Sequence, residues 1–173
     1  SHMILAWKDG YGLRFNVRDF DNPFVMETLN FVDGDSSATL TELTSLLGGT
    51  TILAGDSTGR VSAWFPAHVE KRTGPQSGTR LVKAHSFTGG KAPVTTIASS
   101  SRSRVVAIGH ADGRAEMFHV TSHKKLGSIV AAKDNEPLKQ IVFAPKEDGL
   151  LTLTGEGLTT WKMDPKHPEV SWR

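Results

Sequence analysis

One pattern constrains this chain more than any other: a strand, a glycine turn and a second strand closing on an aromatic residue, repeated along its length. Ile52-Leu53-Ala54-Gly55-Asp56-Ser57-Thr58-Gly59-Arg60-Val61-Ser62-Ala63-Trp64 is one copy. Val105-Val106-Ala107-Ile108-Gly109-His110-Ala111-Asp112-Gly113-Arg114-Ala115-Glu116-Met117-Phe118 is another. Gly59 stands five residues before Trp64, and Gly113 five before Phe118. A third copy runs from Leu150 through Gly155-Glu156-Gly157 to Trp161, one residue tighter, with Gly157 four before the aromatic. The head of the chain, from Ile4 through Gly10-Tyr11-Gly12 to Phe15, reads as a truncated fourth copy with Phe15 in the aromatic place. Nothing in these stretches has helical spacing.

The segments between the copies fit the same scheme. Phe24 to Phe31 reads as a strand, and Asp33 to Ser37 as a loop. Residues 39–47 read as an innermost strand followed by a Gly48-Gly49 turn. A helix is the rival there, and Thr39, Thr41 and Thr44 weigh against it, because branching at Cβ restricts χ1 in a helix. Arg72 to Gly78 is a long polar turn, Arg80 to His85 an outer strand, and Phe87 to Pro93 a turn again. Val94 to Ala98 opens the next unit, and Leu126 to Val130 closes it. Ile141-Val142-Phe143 is stopped by Pro145, which has no N–H for a ladder. Asp148-Gly149 is the turn that follows, with glycine free to take positive φ.

The sum is about fourteen short strands and no helix. Copies starting roughly 45 to 55 residues apart have the period of a propeller blade. The fold class expected is therefore all-β, a propeller fragment of about three to four blades.

The chain has 173 residues, with 38% hydrophobic and 22% charged, an ordinary balance for one globular domain. Ser1-His2-Met3 has the look of a cloning scar, so residues 4–173 are read as the single domain. Both ends of the chain suggest a piece excised from a longer protein. Lys plus Arg number 20 against 18 Asp plus Glu, and a net charge of +2 gives no case for a nucleic-acid partner. The absence of cysteine excludes disulfides, thiol chemistry and cysteine-based zinc sites. No apolar run in the sequence is long enough to span a bilayer.

The repeats resemble the WD40 family. Phe143-Ala144-Pro145 followed by Asp148-Gly149-Leu150-Leu151 is similar to that family's first-to-second strand passage. Gly55 to Trp64 is similar to its second-to-third passage, ending in the signature tryptophan. No Trp-Asp pair closes a strand here; Phe65, His119 and Lys162 stand in the Asp place. A narrower resemblance lies at the end of the chain. Residues 138–145 and Met163-Asp164-Pro165-Lys166-His167-Pro168-Glu169-Val170-Ser171-Trp172 are similar to the large extramembrane insert of some bacterial phosphate ABC-transporter permeases, the PstC type. That resemblance implies a periplasmic domain of an inner-membrane protein, carried by flanking membrane helices. It also implies partners among the other transporter subunits or the phosphate-binding protein.

Candidate sites weigh towards structure. His119 and His123 are four apart, but in a strand-to-strand link with no third ligand beside them, so no metal site is assigned. Asp56, Asp112 and Asp148 sit in glycine turns at what read as equivalent repeat positions. They are assigned to turn hydrogen bonding, because equivalent positions fall on different blades, too far apart for paired acid–base work. No nucleophile elbow and no phosphate loop with a helix behind it is present. Arg102, Arg104, Lys124 and Lys125 are read as a solvated basic surface in preference to a phosphate site. Trp64, Phe118 and Trp161 are expected to be buried between neighbouring sheets. No catalytic, cofactor or metal residue is assigned, and the chain is read as a binding module, not an enzyme. Its function is expected to be that of a binding or regulatory domain for phosphate import, or else of a free-standing protein-interaction scaffold. Two complete blades and a partial one at each end would leave apolar end faces open, so a homodimer of the excised domain is expected.

Overall fold

A computed structural model describes residues 1–32, 37–46, 48–69, 78–88, 91–145 and 149–162. Fourteen strands and no helix are found among them. They form four antiparallel sheets in chain order. The first holds β1 (His2–Ala6), β2 (Tyr11–Asn16) and β3 (Phe24–Asn30). The second holds β4 (Leu40–Ser45), β5 (Ile52–Asp56), β6 (Arg60–Val69) and β7 (Gly78–Thr88). The third holds β8 (Val94–Ser99), β9 (Val105–His110), β10 (Arg114–His119) and β11 (Lys125–Val130). The fourth holds β12 (Gln140–Phe143), β13 (Gly149–Leu153) and β14 (Leu158–Lys162). Within each sheet every strand pairs with its chain neighbour. This is the expected arc of two complete blades flanked by two partial ones.

Three apolar seams join the four sheets. Alternation along a strand sends successive side chains to opposite faces, and each inner sheet feeds two seams. Leu29 and Phe31 of the first sheet's side meet Ala54, Trp64 and Leu81 of the second. Leu53, Val61, Ala63 and Phe87 meet Ile97, Ile108 and Phe118 of the third. Ala107, Met117 and Ile129 meet Leu138, Ile141 and Leu150. The hairpin turns that set this up need positive φ: Gly59 has φ 86° and Gly113 φ 79°, values costly for a residue with Cβ.

Several local expectations are corrected. Phe87 was expected in a turn but lies in β7, paired with Val61 and buried, because β7 runs on to cover β6 along its length. Gly149 opens β13 without positive φ; a Cβ there would meet the Trp161 carbonyl oxygen at 2.5 Å, so close approach of β14 is what requires glycine. Ahead of the segment read as the domain, His2 and Met3 pair with Asn16 and Phe15 and lengthen β1, which leaves the reading of their origin as it stands. The readings made for residues 33–36, 70–77, Asp148 and 163–172 lie outside the described residues.

Candidate interaction surface

The ladder registers align the repeats residue by residue. Ile52 faces Trp64, Val106 faces Phe118, Leu150 faces Trp161 and Met3 faces Phe15. The four aromatics are therefore equivalent, and Trp64, Phe118 and Trp161 each point to the preceding sheet. Trp64 and Phe118 are buried as expected, at 8% and 4% exposure. Trp161 is only half-buried. A fourth strand flanks β6 and β10, whereas β14 is an edge among the described residues. Its indole still donates from Nε1 to Thr152 Oγ1 at 2.8 Å, and Trp64 Nε1 donates to Ser62 Oγ at 2.9 Å.

The acidic turn residues organise backbone, although not at equivalent positions. Asp56 Oδ1 accepts N–H bonds from Thr58 at 2.8 Å and from Arg60 at 3.1 Å. Asp112 Oδ1 accepts the Arg114 N–H at 3.2 Å. Alignment on Gly59 and Gly113 makes Asp56 the counterpart of His110, not of Asp112, which corrects the reading from the sequence. His110 is wholly buried, with Nδ1 3.0 Å from the Ala92 carbonyl and Nε2 3.6 Å from Glu116 Oε2. Glu116 is also paired with Lys125. Burial pushes the Glu116 carboxyl up, but the His110 ring beside it and the Lys125 ammonium paired with it outweigh that and hold it down at about 2. Sequence reasoning missed this pair; its signal was a histidine and a glutamate on facing strands, otherwise apolar.

His123, at φ 58°, stacks on His85 with ring centroids 3.5 Å apart, tying the β10–β11 turn to β7. Burial and the charge of His123 lower the His85 pKa. His119 Nδ1 instead accepts the Ser122 N–H at 3.3 Å. Among the described residues no group of three or more His, Asp and Glu stands where it would hold a metal ion. Arg102 and Arg104 line a cleft of about 400 Å³ between the second and third sheets, with Ser99, Ser103 and Thr121. Lys124 is exposed away from it, and Lys125 belongs to Glu116.

Exposed apolar side chains cluster on the two ends of the arc. On the outer face of the first sheet, Met3 pairs across to Phe15 and Phe15 to Val25, while Leu5 pairs to Leu13. Met3, Leu5 and Val25 are each more than two-fifths exposed. This is the face that in the other three sheets lies against a preceding sheet. On the outer face of the fourth, Val142 stands beside Leu151, and Leu153 beside Leu158. Leu158 is 65% exposed. That face corresponds to the one carrying Leu53 and Val61 in the second sheet, where it packs on the third. Contiguous exposed apolar faces of this kind mark association surfaces.

No family model and no curated protein sequence matches the chain. Solved structures do. The β-propeller domain of Cps50 (Swd1) from Myceliophteria thermophila superposes with a TM-score of 0.72 at 14% identity, over 94% of this chain and 50% of that one. The WD40 repeats of RRP9 superpose with a TM-score of 0.73 at 15% identity, over 100% of this chain and 47% of that one. The C-terminal WD40 domain of Sif2 gives 0.69 at 12% identity, over 94% and 42%. The fold is thus that of a WD40-type β-propeller. The chain supplies three to four blades of it and spans about half the length of the solved chains it matches.

Proposed function

We propose that this chain is a protein-binding propeller module that works by docking, without chemistry of its own. One observation carries the reading: the outer faces of the first and fourth sheets continue the series of sheet-to-sheet seams yet stand open, with Met3, Leu5, Val142 and Leu158 in solvent. Each equivalent face inside the arc is covered. Hydrogen exchange tests it. In the native assembly, amides of β1 and β14 should exchange more slowly than in the isolated chain under conditions that keep it monomeric. Equal rates in both would refute docking on these faces.

A finer reading rests on the likeness of residues 138–145 and 163–172 to the phosphate-permease insert. It makes the module a periplasmic domain of an inner-membrane transporter, acting in phosphate import beside the phosphate-binding protein or the other subunits. The first of those segments leads into β12. The full reading frame tests it: apolar stretches of about 20 residues on both sides are expected. Their absence would leave a free-standing interaction scaffold.

A further inference from the structure

We infer that the partner for each end face is the opposite end face of a second copy of this chain, so that two arcs close one ring. The inference rests on the reading of the end faces as docking surfaces. Three features of the molecule single out this occupant.

The faces match in sense. Every seam inside the arc joins the following face of one sheet to the preceding face of the next. The fourth sheet offers a following face, the first a preceding face. Head-to-tail contact of two copies about a two-fold axis uses each once per copy and leaves neither open.

The faces also match in shape at Leu153. The registers make Leu153 the counterpart of Gly55 and Gly109, and of Ala6. Those positions are small because the first strand of the next sheet comes close. A Cβ on Gly55 would meet Val94 Cγ1 at 2.6 Å, where β8 begins. A Cβ on Gly109 would meet Leu138 Cδ2 at 2.5 Å, just ahead of β12. Leucine at 153 would clash with such a strand. Among the described residues, however, the first sheet shows no strand in that place: β1, β2 and β3 correspond to the second, third and fourth strands of a complete blade. A second copy's first sheet therefore leaves room where Leu153 projects, and Leu153 fills the position of the missing strand. A complete four-stranded blade would fit this face worse.

The sizes match as well. The chain covers 50% and 47% of two solved propeller chains while itself being covered to 94% and 100%, so two copies have about the length of one such chain.

Sedimentation equilibrium on the purified chain, at tens of micromolar, should give twice the 18.7 kDa of one copy. Leu153→Asp and Leu5→Asp each charge one face at an exposed position, and each alone should give a monomer. Mixed in equal amounts, they should recover dimer, because one of the two seams is then wild type on both sides. The chain has no cysteine, so Leu153→Cys and Leu5→Cys together offer a second readout: oxidation should link copies into a covalent dimer. That holds even where an aspartate variant fails to fold. A monomer at 18.7 kDa with β1 and β14 still protected in the native assembly would overturn the second copy and keep docking. A dimer unaffected by Leu153→Asp, a mixture that stays monomeric, or an open-ended polymer would each overturn the head-to-tail ring.

Discussion

Arg14 Nη1 lies 2.8 Å from Glu27 Oε1 on the face of the first sheet that meets the second, and both side chains are almost wholly buried. The pair reaches across the seam. Arg14 also donates to the Thr79 carbonyl at 3.2 Å, and Glu27 Oε1 accepts the Leu81 N–H at 3.0 Å. Two charges out of water are tolerable only with every partner in place. The pair thus fixes how the first sheet sits on β7.

Replacing Glu27 by Ala leaves a buried guanidinium without its counter-charge and the Leu81 amide without its acceptor. Unfolding stability should fall by about 3–5 kcal/mol, the range for breaking a buried pair. A loss below about 1 kcal/mol in denaturant unfolding, typical of an exposed pair, would show that water reaches the site.

Trp64→Ala should cost more than Trp161→Ala. Trp64 is packed from both sides and should lose about 3–5 kcal/mol. Trp161 is at the edge strand and half-buried, so its loss should be about half that. Equal losses in urea unfolding would mean that another strand covers β14.

Alanine at Gly55 or Gly109 should wedge a seam open. The new Cβ would stand within 2.6 Å and 2.5 Å of Val94 and Leu138 side chains. Overpacking of this order costs about 1–3 kcal/mol. Gly48→Ala, where no atom lies within 4 Å, controls for space, although its φ of 93° carries its own strain. Thermal melts that place all three variants together would show that the seams yield freely.

The Glu116 carboxyl, held at about 2 in the folded chain, gives stability that depends on pH. Its folded pKa is below the unfolded value of 4.5, so the unfolded chain takes up the proton first as pH falls. The contribution is present in full above 4.5 and is lost towards 2. Glu116→Gln should be less stable at neutral pH and should flatten the stability profile across that window. An unchanged slope between these limits would show that His110 and Lys125 do not hold the carboxylate.

How much of this was legible in the sequence follows from the kind of signal each feature carries. The hairpins were legible because Gly59 and Gly113 recur at a fixed offset from Trp64 and Phe118, and a tight turn has few chemical solutions. Phe87 was not, because a phenylalanine followed by Gly89-Gly90 reads as a turn until β6 is seen to need cover along its full length. The count of blades followed from the repeats. The Arg14–Glu27 and His110–Glu116 pairs did not, because nothing local marks a charged residue as facing a seam.

By itself the sequence determined the repeating unit, its strand period and its all-β class, because these depend on alternation and turn chemistry within a dozen residues. It also placed open faces at both ends of an arc. Only the tertiary structure decided which residues are equivalent, since equivalence is a matter of ladder register and not of distance along the chain. That register is what sets Leu153 beside Gly55 and Gly109, and Phe15 beside Trp64. Side chains separated by a hundred residues acquire a common role only when the sheets that carry them take the same place in successive blades.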